Sequence, residues 1–167
     1  MKKSLVLIAI FFFLFSALPL SAQTAAELDV LLETPILNKA LASRFVLGAV
    51  QLLPEGLAGA DAESTAFAIA QGNGWLKGNA DDPIKLKEAA LLIMKAFDLK
   101  GGLMYRMAKS PRYAYRELLY RKVIQGRSDP AMKLSGRRLL AIIDRAMLYS
   151  GEGAKLDEGL QLSGGGN

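Results

Sequence analysis

The residue types that most often carry chemistry are scarce in this sequence. Its 167 residues include no histidine and no cysteine, which removes the commonest general base, the Ser-His and Cys-His nucleophile pairs and the usual zinc ligands. A hydrolase that uses only carboxylates remains an alternative, with Asp81, Asp82, Glu88 and Asp129 as its candidates. These acids stand at or near Asp-Pro corners, where aspartate is a good turn and cap residue. We therefore favour a structural role for them and expect no enzyme, no metal site and no cofactor.

Three copies of one pattern place these corners at a nearly fixed spacing. Pro35, Pro83 and Pro130 follow one another after 48 and 47 residues, and Gly78 and Gly126 are 48 residues apart. In each copy one helix pattern ends, a corner follows and an apolar helix pattern begins. A period in this range is typical of repeated units that share a core. The sequence therefore predicts an all-α domain of three helix–corner–helix repeats, at about residues 24–53, 64–99 and 110–149.

Local signals refine these elements. Asn38 is a plausible N-cap for the second helix of the first repeat, and Pro111 after Ser110 marks a helix start. A short helix is expected over residues 103–108. We expect Gly78 and Gly126 to occupy helix-ending positions that require a positive φ.

The N-terminus has the three-part layout of a secretory signal. Lys2 and Lys3 precede an apolar run from Leu5 to Phe15, and small residues follow as far as Ala22. An uncleaved anchor is the alternative, although the apolar stretch is shorter than the ~20 residues that a spanning helix needs. Residues 1–22 are thus predicted to be a signal peptide, residues 23–150 the helical domain and residues 151–167 a flexible tail. We expect an exported protein of the periplasm, cell envelope or outer surface, with no membrane span after cleavage.

Charge is unevenly distributed along the predicted domain. Residues 23–100 hold seven Lys/Arg and ten Asp/Glu, whereas residues 101–150 hold eleven and three, a net charge of +8. Several tyrosines interleave with these cations. The basic face fits either an anionic polymer or an ordinary solvated helix surface, and export argues against nucleic acid as the partner. Trp75 either packs against the next repeat or stacks on a ligand.

At its corners the sequence resembles the S-layer homology family. Repeats of that family read as a Gly-ending helix, an Asp-Pro-Ile corner and a Thr-Arg-Ala-Glu helix start. Here the corners read T-P-I-L-N-K-A-L-A from Thr34, G-N-A-D-D-P-I-K-L-K-E-A-A from Gly78 and G-R-S-D-P-A-M-K-L-S-G-R-R-L-L from Gly126. The run R-Y-A-Y-R-E-L from Arg112 is also similar to modules of spirochaete envelope proteins. The resemblance covers nearly all of the predicted mature chain, but no copy keeps Thr-Arg-Ala-Glu intact.

The resemblance implies both a fold and a ligand. In the S-layer homology family, three repeats form one pseudo-threefold module whose inter-repeat grooves hold cell-wall polysaccharide, and the motif arginine contacts that polymer. The nearest positions here are Lys39, Lys87 and Arg137, with Arg138 beside the last and Trp75 as a stacking candidate. A cation near a helix start also suits a bound anionic group.

These inferences combine into one functional expectation with one alternative. The leading expectation is a non-catalytic envelope module that binds wall glycan, a peptidoglycan-associated polymer or another anionic polymer in grooves between repeats. The alternative is a periplasmic protein–protein adaptor or structural envelope protein without glycan binding, whose working surface is an apolar patch.

The signal pattern makes a direct prediction about the exported chain. Cleavage after Ala22 would leave Gln23 as the first residue, because small residues precede the junction. N-terminal sequencing of the exported protein checks this. Recovery of a chain that still begins at Met1 would support the uncleaved anchor instead.

Overall fold

This computed structural model describes the backbone of residues 19–163 and the side chains of residues 25–151. The described part of the chain contains seven α-helices joined by turns and loops. The helices are α1 (Pro19–Glu33), α2 (Lys39–Ala49), α3 (Gly59–Gly72), α4 (Leu86–Ala96), α5 (Leu103–Met107), α6 (Pro111–Tyr120) and α7 (Gly136–Ser163). β-type pairing in these residues is confined to two isolated bridges, Asn38 with Pro83 and Lys85 with Lys133. The predicted all-α class is confirmed.

Several predicted boundaries are confirmed at the level of single residues. The Asn38 side-chain oxygen accepts a hydrogen bond from the N–H of Leu41 at 2.8 Å, as an N-cap does. Helix α6 begins at Pro111 after Ser110. Both Gly78 and Gly126 have the predicted positive φ, of 91° and 74°. They do not end helices, however, because each lies six residues after the last residue of the preceding helix, Gly72 of α3 and Tyr120 of α6.

The two predicted end segments lie partly outside the described residues. Residues 1–18, which hold most of the predicted signal, are outside them, and the first described helix, α1 (Pro19–Glu33), includes the last four residues of that segment. The predicted flexible tail starts at residue 151, whereas α7 continues to Ser163. Alanine, lysine, leucine and glutamate in this stretch favour a helix, although glycine is also present.

Three backbone hydrogen bonds join the three corners in a closed ring, which we call the corner ring. The N–H of Leu37 donates to the carbonyl of Leu134 at 2.8 Å, that of Ile84 to Leu37 at 3.0 Å and that of Leu134 to Ile84 at 3.2 Å. All three residues are fully buried. A buried backbone polar group left without a partner is costly, so the ring satisfies one N–H and one carbonyl of each corner.

The helices that leave these corners form the centre of the molecule. Helices α2, α4 and α7 contact one another, and each also packs against an outer helix: α2 against α3, α4 against α6 and α7 against α1. Each outer pair therefore joins helices that the sequence pattern assigns to different repeats. Side chains from all three corners and from helices α1–α7 contribute to a single buried apolar cluster.

The α1–α7 contact depends on a glycine. Gly136, the first residue of α7, is buried, and a Cβ added there would overlap the carbonyl oxygen of Leu31 in α1. The N–H of Gly136 also donates to the carbonyl of Thr34 at 3.0 Å. The absence of a side chain at this position therefore lets the first and last described helices meet.

This close approach predicts opposite effects for two glycine substitutions in α7. Gly136→Ala should lower the free energy of unfolding by about 1–3 kcal/mol, because the added methyl group forces the two helices apart. Gly151→Ala, at an exposed site of the same helix with no neighbour within 4 Å, should raise it by about 0.5–1 kcal/mol through helix propensity. Chemical denaturation followed by circular dichroism measures both. Equal stabilisation by the two alanines would show that α1 does not pack on α7 in solution.

Candidate functional site

Lys39 is the first residue of α2, and its side chain crosses to the loop that precedes the second corner. Its ammonium donates to the carbonyl of Lys77 at 2.7 Å and to Oδ2 of Asp82 at 3.0 Å. Only 7% of the Lys39 side chain is exposed. A buried ammonium needs such partners, since desolvating it without them is costly. The contact therefore fixes the first corner against the loop of the second.

Asp82 receives a second donor as well as Lys39. The N–H of Asn79 donates to its Oδ2 at 2.9 Å. This backbone hydrogen bond, followed by that from the Lys39 ammonium, holds the pKa of Asp82 below its usual range. Gly78 lies directly against the pair: a Cβ there would be 2.6 Å from the carboxylate oxygen and 2.8 Å from the ammonium nitrogen. Glycine suits this position by its positive φ, and a side chain here would also push the ends of Asp82 and Lys39 aside.

The structure does not present Lys39 as a free cation for an external anion. Lys39 also occupies a different position in its helix from the cations of the other two corners. Lys39 is the first residue of its helix, whereas Lys87 and Arg137 are the second residues of α4 and α7. Relative to the start of its helix, the cation of the first corner therefore stands one position earlier than those of the other two corners.

The remaining cations predicted to bind a ligand differ in their exposure and in the hydrogen bonds that they already make within the protein. Lys87 is half-buried. Arg137 is exposed, and its Nε donates to the carbonyl of Leu32 at 3.2 Å. The half-buried Arg138 guanidinium donates to the carbonyls of Gln125 at 3.4 Å and Arg127 at 2.7 Å. Arg138 therefore acts in part as a clamp on the preceding loop, and Arg137 is the more available of the two.

One groove runs along the bridge between the second and third corners, and we call it the corner groove. Its volume is about 290 Å³. Lys85 and Lys133 are paired residues of an antiparallel bridge, so their side chains leave the same face of it. Both are exposed, and both line the groove together with Lys39, Asp82 and Glu88. Two like charges opposite each other repel, and the carboxylates of Asp82 and Glu88 in the same groove offset part of this repulsion.

A second groove contains the single tryptophan, and we call it the tryptophan groove. It has a volume of about 330 Å³. Half-buried Trp75 lines it together with the exposed side chains of Lys77 and Lys109 and with Ser110 and Pro111 at the start of α6. Glu88, which accepts a backbone hydrogen bond from Lys85, is the one acidic residue of the lining. Trp75 also packs against the apolar cluster. An aromatic surface next to two ammonium groups suits a sugar ring that carries an acidic substituent.

Sequence reasoning singled out Trp75 but missed the lysines around it and those of the corner groove. Lys77 and Lys109 are distant from each other in sequence, so only the fold brings them to one groove. Lys85 and Lys133 had a local signal. Lys85 stands between buried Ile84 and Leu86, and Lys133 between half-buried Met132 and buried Leu134, so the alternation turns each lysine outward. Lys87, Arg137 and Arg138 line neither groove.

The carboxylates considered as catalysts have mostly structural contacts. Glu88 accepts the N–H of Lys85 at 2.8 Å, and Asp129 accepts that of Ala131 at 2.6 Å. Together with Asp82, they satisfy backbone groups at helix starts and turns. Within the described residues, no cluster of three or more acidic side chains could hold a metal ion.

The fold and the two grooves define an all-helical protein whose linked corners frame shallow, lysine-lined clefts. Comparisons with protein-family models, with curated proteins and with solved structures find no match to this chain. Across residues 19–163, no helix is both long enough and apolar enough to cross a membrane.

The contact between Lys39 and Asp82 predicts a pH-dependent contribution to stability. Asp82→Asn should lower the melting temperature at neutral pH, because it leaves a buried ammonium with a weaker partner. Since folding lowers the pKa of Asp82, this contribution is complete above the unfolded value of about 4 and is lost as pH falls through the folded value. Parent and variant should therefore converge in acid.

Thermal melts between neutral and acidic pH test this expectation. Asp81→Asn is the matched control, because it removes the same charge from the exposed neighbouring residue and should leave the melting temperature nearly unchanged. A deficit in Asp82→Asn that persists undiminished in acid would contradict the assigned role of the carboxylate.

Proposed function

We propose that this chain is an exported, non-catalytic module of the cell envelope that binds wall glycan or another anionic envelope polymer in the grooves beside its corners. The observation that carries the proposal is the tryptophan groove, in which Trp75 lies beside Lys77 and Lys109. An aromatic face and two cations fit a polymer that offers both sugar rings and acidic groups.

We also propose that the three corners are related by a pseudo-threefold axis, as the resemblance to the S-layer homology family implies. Two observations support this arrangement. The hydrogen bonds of the corner ring run in one cyclic direction. In each copy the helix begins two residues after the ring residue, at Lys39, Leu86 and Gly136. Three corners related in this way repeat similar clefts around one axis.

The proposed binding residues differ from those expected from the sequence. Trp75 stays in the proposal, and Lys77, Lys109, Lys85 and Lys133 join it because they line the grooves. Lys87 and Arg137 remain accessory contacts near helix starts. Lys39 is reassigned to the scaffold, since its charge is neutralised by Asp82. Several weak contacts on one long polymer would raise the effective concentration of the next.

The single tryptophan provides a direct binding experiment. Purified envelope polymer added to the protein should change Trp75 fluorescence in a saturable manner that weakens as salt is added. The double variant Lys77→Gln/Lys109→Gln should bind about tenfold more weakly, because exposed ion pairs are worth up to about 1 kcal/mol each. The midpoint of the fluorescence titration measures the change.

The matched control is Arg116→Gln/Lys122→Gln, which removes two exposed charges outside both grooves. It should bind nearly as the parent does, with the helical circular dichroism of all proteins unchanged. If parent and groove variant bind sacculi equally, with and without their attached polymers, the groove proposal is wrong.

The alternative, a protein–protein adaptor, is supported by a separate observation. Leu103, Met104 and Met107 of α5 are all largely exposed, and exposed apolar side chains grouped together often mark an interaction surface.

A further inference from the structure

Helix α5 directs its apolar side chains outward. Of its five residues, only Tyr105 points into the core, with 5% of its surface exposed. Burial, reinforced by the nearby Asp98 carboxylate, raises the pKa of Tyr105 to about 12. Leu103, Met104 and Met107 are 69%, 63% and 77% exposed. A helix anchored by one tyrosine thus presents three large apolar side chains to its surroundings.

Contacts with α6 place further apolar groups at the same end of the molecule. Arg121, which pairs with Glu117, donates to the carbonyl of Lys100 at 2.9 Å. A Cβ added to Gly102 would lie 3.2 Å from the Glu117 carboxylate. The start of α5 therefore lies beside the last turn of α6, which carries Tyr120, exposed by 85%. We call these exposed apolar residues the α5–α6 patch: Leu103, Met104, Met107 and Tyr120.

Cations line a cavity on one side of α5, next to this patch. A cavity of about 390 Å³ beside α5 is lined by Lys95, Arg106 and Lys109, and its one acidic residue is Asp98. Arg106 and Lys109 are exposed, and residues 101–150 carry a net charge of +8. The exposed apolar side chains of α5 therefore lie next to a cavity that is lined by cations.

We propose that the α5–α6 patch docks peripherally on an anionic lipid surface. Leu103, Met104 and Met107 enter the boundary between headgroups and acyl chains, and Lys95, Arg106 and Lys109 contact lipid phosphates. Interfacial segments of this kind bind by buried apolar area together with attraction to anionic lipids. Tyr120 has the amphipathic ring that is enriched at membrane interfaces.

The chemistry of the patch favours a bilayer over the other occupants. A hydrated glycan offers little apolar surface to two methionines and a leucine. A bilayer supplies apolar depth and surface phosphate within a few ångströms, which is the combination that the patch and the neighbouring cations match. The surface for this docking is largely separate from the proposed polymer site, since the cavity beside α5 and the tryptophan groove have only Lys109 in common.

The absence of cysteine from the sequence permits a site-specific test in the full chain. Met107→Cys, labelled with a polarity-sensitive fluorophore, reports the surroundings of α5 itself, whichever other segments contact the vesicle. Vesicles of phosphatidylcholine with about one-third phosphatidylglycerol should produce a blue shift that weakens with salt. Vesicles of phosphatidylcholine alone should produce little. The same label at Leu52, an exposed residue of the α2–α3 loop, is the positional control.

Substitutions made in the labelled Met107→Cys chain separate the two contributions. Leu103→Gln/Met104→Gln should raise the vesicle concentration at half-maximal shift about tenfold per residue, whereas the control Val30→Gln/Ile36→Gln should not. Lys95→Gln/Arg106→Gln should raise it about fivefold per charge. The control Lys85→Gln/Lys133→Gln removes the same charge from the corner groove and should have a smaller effect.

Three results would overturn the proposal. One is the absence of any shift at position 107 with anionic vesicles while the chain keeps its helical circular dichroism. Another is an equal loss of binding from each variant and its control, which indicates attraction by net charge alone. A third is a shift without vesicles that grows with protein concentration, which identifies a second copy of the chain as the occupant.

Discussion

The corner ring is the constraint on which the rest of the structure depends. Leu37, Ile84 and Leu134 are fully buried, so their backbone groups cannot turn to water for hydrogen bonds. Instead, the N–H of each residue forms a hydrogen bond with one of the other corners, and its carbonyl forms one with the third. This exchange fixes the three corners at one level, and the helices that leave them, α2, α4 and α7, must then contact one another. No disulfide can contribute, because the sequence has no cysteine.

The same constraint explains why the clefts lie where they do. Corners held together by backbone bonds leave their side chains to alternate between the core and the outside. Lys85 and Lys133 face outward as partners of a bridge. Lys39 faces the neighbouring loop and is neutralised by Asp82. The corners thus bury Lys39 in a structural contact and leave Lys85 and Lys133 exposed to solvent. Burial, and not residue type, therefore distinguishes the structural lysine from the two that are available to a ligand.

Much of the fold could be predicted from the sequence because its signals are local. The Asn38 cap, the start of α6 at Pro111 and the positive φ of Gly78 and Gly126 each depend on a few adjacent residues. The extent of α7 was less predictable, since glycines near its end favour a loop while the surrounding residues favour a helix. The clefts were the least predictable feature, because Trp75 is brought close to Lys109, which is 34 residues further along the chain.

The sequence by itself determined the helical class, the corner spacing and the shortage of catalytic side chains, because propensity, capping and composition act over short distances. Only the tertiary structure decided which helices pair. It set α7 against α1 through the bare backbone of Gly136, and it neutralised Lys39 with Asp82. It also turned the apolar side of α5 outward around Tyr105. These outcomes depend on which distant groups share a buried volume or a surface, and the linear order of residues does not specify that.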